Sequence, residues 1–480
     1  MFSIKKFIQN NKKLCLIFLL ALILRLIGIT HGYPFIYNID EPALVRSTLG
    51  LSFTPLIDHF DWPHFNYYFN YFFYFIFIKI RGLIQILNLR SGLEGFLPII
   101  WNDPFIFYLI SRILSAILGA LTVVPIYFLT LETSKNSKSA YLAALFMSVI
   151  PFHSYYSHFA LQDGIMLFWI SCGVYFSYIG VTRNNLNSYL LSGLFFGLAV
   201  GTKYNAILFM AMVPAFSIEK YLSGRKDFLL MFKNGIYLSL VSGFIFVLTS
   251  YSLIFKWSIF WSEEFGKGML WQLKYNVVAL PFSEYPQAII ENIKELSQDL
   301  SIFGLAIIVL GVINILRSKK SIGVTSMILA STIYFLYVSR FNRSPSHYFL
   351  PIYLFLPIFA SYAFEFNSKK MNFLLYLLLF SMFITTFWST IKFTRLNTKT
   401  EAINKYAEIY KNKIYYNGEG LDSANGINNI GMKKYNDDIV LISGNILISE
   451  IEIKSDKIKQ VEYIDSKNRY GSSIYVYTGN

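Results

Sequence analysis

Apolar runs long enough to cross a lipid bilayer recur along this sequence. A helix needs about 20 predominantly apolar residues to span the hydrocarbon core. Such runs lie near 13–30, 104–131, 139–157, 163–181, 188–203, 205–221, 231–255, 301–316, 321–339, 347–366 and 371–391. The bilayer core holds no water to satisfy open backbone groups, so these runs fold as helices. Only 15% of the 480 residues are charged, where a soluble protein of this size carries about 25%. The expectation is an all-α polytopic membrane protein with about 11 transmembrane helices.

The net charge of +14 suggests nucleic acid until its distribution is read. Lys12-Lys13, Lys135/Lys138, Arg225-Lys226, Lys319-Lys320 and Lys369-Lys370 sit in short clusters between apolar runs. That is the positive-inside pattern, so topology accounts for the charge and nucleic-acid binding is excluded. The two cysteines, Cys15 and Cys172, fall inside predicted spans, so neither a disulfide framework nor a zinc ribbon is expected. Lys5, Lys6, Lys12 and Lys13 precede the first apolar run and no small-residue cleavage site follows. The start of the chain therefore reads as an uncleaved anchor with a cytoplasmic N-terminus, in the plasma membrane.

The segment 65–87, FNYYFNYFFYFIFIKIRGLIQIL, is apolar enough to span. Parity argues against a crossing. If it does not cross, the basic clusters after it all fall inside; if it does, they all fall outside, against the charge bias. Lys79 and Arg81 suit a helix lying at the interface. The segment is expected to be a juxtamembrane or re-entrant helix within a long outer loop, 31–103. The tail, 392–480, is rich in Asn, Lys, Asp, Ser and Gly, and DIVLISGNILISEIEI and SSIYVYTG alternate as strands do. A small extracytoplasmic α+β domain is expected there, after a membrane domain of residues 1–391.

This topology puts the chemistry-bearing residues on one face. Asp40 and Glu41, in YNIDEPALVRS, follow the first span, and Asp163 begins the fourth. Carboxylates meeting at a membrane surface suit general-base work on an acceptor hydroxyl, with a second acid orienting substrate or metal. The other reading is a solvated loop acid or, for Asp163, a carboxylate complementing a helix dipole. All six histidines, His31, His59, His64, His153, His158 and His347, map to the same face. They either bind phosphate, hydroxyls or metal, or reflect a preference for the interface; no pair has a firm metal-ligand spacing. Lys203 lies between two spans at the outer end and either snorkels or meets a lipid phosphate. Arg340, Arg343 and His347 are basic yet outside, which suggests an anionic ligand there. Arg25, late in the first span, is a costly buried cation that should face a cavity or partner.

In order, the segments NIDEP, WPHFNYYFNYFFYF, SRILSAILGALTVVPIYFL, AYLAALFMSVIPFHSYYSHFALQDGIMLFW, YLLSGLFFGLAVGTKYNAILF and SHYFLPIYLFLPIFA resemble the GT-C glycosyltransferases. The nearest branch is the protein-mannosyltransferase and aminoarabinose-transferase group with its Rgt-like members, of the glycosyltransferase family 39 type. The resemblance covers about residues 10–365 and not the tail. It implies an inverting transfer of a sugar from a polyprenyl-phosphate donor to a hydroxyl of a lipid, glycan or protein outside the membrane, in cell-envelope glycan, glycolipid or glycoprotein synthesis. It implies that Asp40 is the base, with Glu41 its neighbour and Asp163 the second-loop acid. It further implies that Lys203 holds the carrier phosphate. His347 and Tyr348 fall where the family has an Arg-Tyr step, so Arg340 or Arg343, with Arg25, would share the donor-phosphate role. Pro63 is followed by His64 in place of the family's second proline, which with His158 makes an acceptor-side candidate. No cofactor is expected to be required, although a divalent metal is compatible with this branch. A polytopic transporter or lipid flippase is the alternative; it places ionisable groups near the midplane, whereas these acids lie in loops at one face.

Overall fold

A computed structural model describes residues 11–398, except 34, 39, 87–102, 225–227, 277, 318–322, 343–344 and 367, together with Glu401, Lys405 and the tail strands given below. The apolar runs are helices. In chain order these are α1 (Lys12–Leu26), α2 (Asp40–Gly50), α3 (Phe65–Ile86), α4 (Phe105–Leu121), α5 (Val123–Ser134), α6 (Ser137–Ser148), α7 (Pro151–Tyr156), α8 (Asp163–Arg183) and α9 (Leu186–Thr202). After a 3-10 segment, Tyr204–Ala211, come α10 (Met212–Leu222) and α11 (Phe228–Thr249). Three short helices and a π turn lead to α12 (Tyr285–Asp299), α13 (Ser301–Arg317) and α14 (Val324–Ser339). A second long 3-10 segment, Ser346–Leu354, precedes α15 (Leu356–Tyr362) and α16 (Lys369–Ile391).

Local chemistry sets several of these ends. Asn136, Asn185 and Ser368 cap α6, α9 and α16, each side chain accepting a bond from a first-turn N–H. Asn184 closes α8 in the left-handed conformation that Asn tolerates. Proline breaks two of the expected spans. Pro151 opens α7 after a two-residue gap, and Pro351 lies inside the second 3-10 segment. Among the described residues, five helices are individually long and apolar enough to cross a membrane, or seven if two bent pairs each count as one span. That is fewer unbroken spans than the eleven expected. The shortfall comes from broken or short helices, such as α9 with 17 residues and α14 with 16. The α3 helix passes the same test of length and apolarity.

The largest apolar cluster is drawn from α1, α4, α5, α6, α8, α9, α10, α11, α13, α14, α15 and α16, and a second gathers residues of α2, α3 and α4. In α9 the glycines recur every fourth residue. A Cβ on Gly193 would meet Leu238 O at 2.5 Å, and one on Gly197 would meet Ser242 O at 2.8 Å. Only a side chain of one hydrogen lets α9 lie this close to α11.

In the tail, β2 (Ile414–Asn417), β4 (Ile439–Ser443), β6 (Ile474–Gly479) and β5 (Ile458–Ile464) form a four-stranded sheet in that order, parallel only between β2 and β4. The strands expected in DIVLIS and SSIYVYTG are β4 and β6. The rest of that alternating stretch and any tail helix between these strands lie outside the described residues. A separate two-residue pairing joins β1 (Phe35–Ile36) to β3 (Asp422–Ser423), tying the tail to the loop just ahead of Asp40.

Candidate active site

The start of α2 is fixed by Glu41. Its carboxylate is fully buried and takes a bidentate bond from Arg112 of α4, at 2.7 and 2.8 Å. The Ala160 N–H donates to the same carboxylate at 2.7 Å. Arg112 also donates to the carbonyls of Ile29 and His31. One ion pair thus clasps both ends of the loop after α1 and the turn before α8. Burial makes the pair costly to break, and it fixes the start of α2 beside Asp40. Asp40, one residue earlier, is half-buried, and its N–H bonds to Asn38 Oδ1 at 2.9 Å.

Asp163 opens α8, where a carboxylate complements the helix dipole. It is buried and pairs with Lys203 at 2.6 Å, so it is not a solvated loop acid. Lys203 stands in extended backbone between α9 and the 3-10 segment. Its ammonium lies 5.0 Å from the Tyr348 ring centroid, a cation–π contact. Beside Tyr348, His347 Nδ1 meets the Tyr156 hydroxyl at 2.8 Å. That hydroxyl lies within electrostatic range of Asp163, Asp40 and Asp299. The ends of α2, α7, α8, α9 and α12 and the second 3-10 segment therefore converge. Direct contacts join Asp163 to Lys203, Lys203 to Tyr348 and His347 to Tyr156, with Asp40 and Asp299 within electrostatic range of Tyr156.

Asp299 ends α12. It accepts a bond from Tyr353 at 3.2 Å, and Ser346 bonds to it and to Glu295. Burial pushes its carboxyl up to about 7, and Glu295 adds to the rise. Arg112, Asp299, Tyr156 and Tyr353 were not singled out from the sequence. Arg112 had a signal, being the one charge in the apolar run 104–131, where a cation needs a partner. Asp299 sits on a polar helix whose docking nothing in the sequence announces.

Other expected residues have different surroundings. Arg25 is fully buried and donates to Ala21 O at 2.8 Å and Ser148 O at 3.2 Å, with His153 Nδ1 at 2.7 Å. Its guanidinium braces α1 against α6 and α7. His64 and His158 are buried too. His64 Nε2 meets His59 O at 2.7 Å, and burial pushes its imidazole down to about 4. His158 faces carbonyl oxygens at both nitrogens, which favours the charged ring, but burial is the larger effect and takes it to about 4. These contacts tie both rings to backbone carbonyls. Arg340 is exposed and Arg343 lies outside the described residues. Among the described residues no three His, Cys, Asp or Glu side chains are grouped to hold a metal ion.

The same architecture occurs in solved structures. The apo oligosaccharyltransferase of Archaeoglobus fulgidus is 14% identical with a TM-score of 0.54, over 84% of this chain and 60% of that one. ArnT of Cupriavidus metallidurans is 10% identical in its apo state with a TM-score of 0.55, and 11% with 0.52 bound to undecaprenyl phosphate. Both ArnT comparisons cover 96% of this chain and 97% of the other. These likenesses establish the fold. A search of curated proteins finds no significant match. Residues 101–263 match the family model described as dolichyl-phosphate-mannose-protein mannosyltransferase. That match takes in about a third of the chain, and the fold around it is that of the structures above. The matched segment contains Arg112, Tyr156, Asp163 and Lys203.

Proposed function

We propose that this protein is a glycosyltransferase that moves a sugar from a polyprenyl-phosphate donor to an acceptor hydroxyl on the extracytoplasmic face of the cell membrane, with inversion. The observation carrying the proposal is the convergence of Asp40 and Asp163 with Lys203, Tyr348 and His347 at one end of the bundle. Asp40 takes the acceptor proton as that oxygen attacks the anomeric carbon. The departing lipid phosphate is already a good leaving group, so no acid is required for it, unlike the alkoxide of a hydrolysed glycoside. Lys203 has three N–H donors and gives one to Asp163, leaving others for phosphate oxygens. Its charge is held in place before the reaction, which is where electrostatic stabilisation counts most. The carrier bound by ArnT, undecaprenyl phosphate, is of the class proposed here.

An apolar cavity of about 540 Å³ between the first 3-10 segment, α10 and α14 suits the carrier's tail. It begins at Tyr334, whose hydroxyl bonds to Tyr348 O at 3.1 Å. The test is transfer by purified protein in nanodiscs given polyprenyl-phosphate sugars, read as released polyprenyl phosphate. Activity is expected to persist in EDTA, since the proposed step uses no metal. Full activity in Asp40→Asn overturns the base assignment. Solute flux in proteoliposomes without any donor consumption overturns the whole reading.

A further inference from the structure

Ser47, His59 and Asp61 form a hydrogen-bonded chain that the transfer reaction does not use. Asp61 Oδ1 lies 2.7 Å from His59 Nδ1, and His59 Nε2 lies 3.2 Å from Ser47 Oγ. One tautomer satisfies both contacts. With the proton on Nδ1, His59 donates to Asp61 and its Nε2 lone pair accepts from the serine hydroxyl. This is the order nucleophile, base, orienting acid, recognised by geometry rather than sequence position. His64 and His158, by contrast, point ring nitrogens at backbone carbonyls.

The chain is held rigidly and is open to solvent. The Ile57 N–H donates to Ser252 Oγ at 3.0 Å, and the Phe60 N–H donates to Lys267 O. The Tyr204 hydroxyl donates to Phe60 O at 2.9 Å, and the His64 ring to His59 O. The Tyr67 ring meets the His59 ring edge-on at 5.5 Å. These contacts anchor the loop that carries His59, while its side chain and that of Asp61 each stay 23% exposed. Ser47 is half-buried on α2, seven residues after Asp40 and hence on the same helix face, about 10 Å farther along the axis.

We propose that Ser47 is an activated nucleophile toward carboxylic esters, the substrate class being O-acyl groups presented at the membrane surface. Ser47 Oγ bonds to the ester carbonyl carbon while its proton passes to His59 Nε2. The bond from that carbon to the alcohol oxygen breaks, and the departing alcohol takes the proton back. Water then attacks the acyl-serine with His59 again as base, releasing the carboxylic acid and restoring Ser47. Asp61 holds the imidazole tautomer and steadies its positive charge.

The test is a fluorophosphonate probe on the full-length protein in detergent, with the modified residue mapped by mass spectrometry. The Ser47 oxygen displaces fluoride from phosphorus only if it is activated. Ser47 is expected to be labelled in the wild type, about tenfold or more slowly in His59→Gln, and more slowly in Asp61→Asn, with size-exclusion profiles showing each variant folded. An unlabelled Ser47 in folded wild type, or equal labelling in folded His59→Gln, overturns the proposal and leaves the three residues as a loop clasp.

Discussion

Asp40 and Glu41 are adjacent, yet a turn of about 100° per helical residue separates their directions. Glu41 points into the bundle to Arg112, and Asp40 is left at the rim of the site. Their substitutions should therefore fail differently. Asp40→Asn should keep the fold and, under the proposed mechanism, remove the base. Its transfer rate should drop by about 10²–10⁴-fold with donor binding retained, measured as kcat against donor Kd. Glu41→Gln leaves Arg112 buried without a counter-charge. Breaking such a pair costs about 3–5 kcal/mol, so a lowered unfolding temperature and poor yield are expected, with activity per folded molecule largely kept. The acidic pair was legible in the sequence; which acid faced inward was not, because that depends on Arg112, seventy-one positions away. Lys203 was legible as an interfacial cation, and its partner followed only when α8 and α9 were packed together.

At the scale of elements, apolar run length and capping residues such as Asn136, Asn185 and Ser368 made the helices readable. The docking of α12 was not readable, since its polar sequence is equally compatible with a solvated loop. Its Asp299 gives a pH signature. The folded carboxyl titrates near 7 against an ordinary value of 3.8, so the folded state binds this proton more tightly than the unfolded one. The stability contribution is then largest at low pH and falls as pH rises between about 4 and 7, by an amount on the order of a few kcal/mol. Asp299→Asn should remove that slope and leave the protein more stable than wild type above pH 7, read from thermal unfolding across pH. The glycine face of α9 is a second element-scale device. Gly197→Leu would push α11 away and shift Lys203 at the end of the same helix. The expected result is a raised KM for the lipid donor together with lower stability, separable by comparing kinetics with unfolding temperature.

Across the whole molecule, the sequence supported a common face by counting crossings, and the structure brings Asp40, Asp163, His347 and Lys203 to one end of the bundle. What no count could reveal is the apolar cavity beside that end. It is walled by α10 and α14, which run antiparallel. Tyr334 and Tyr337 lie at the site end and Glu219 at the other, where Glu219 bonds to the Ser326 hydroxyl at 2.5 Å. A carrier with its phosphate at Lys203 would lay its isoprenes along Phe209, Met212, Leu329 and Ile333. Ala330 lines this cavity with a single methyl. Ala330→Trp should fill it without touching Asp40 or Asp163. For a long-chain donor KM should then rise about tenfold, the worth of roughly 1.4 kcal/mol of lost apolar contact, with kcat little changed. A donor with a short prenyl tail never reaches that depth, and its KM should be the same in variant and wild type. Equal effects on both donors would mean that the substitution distorts the site, and the tail would then lie elsewhere.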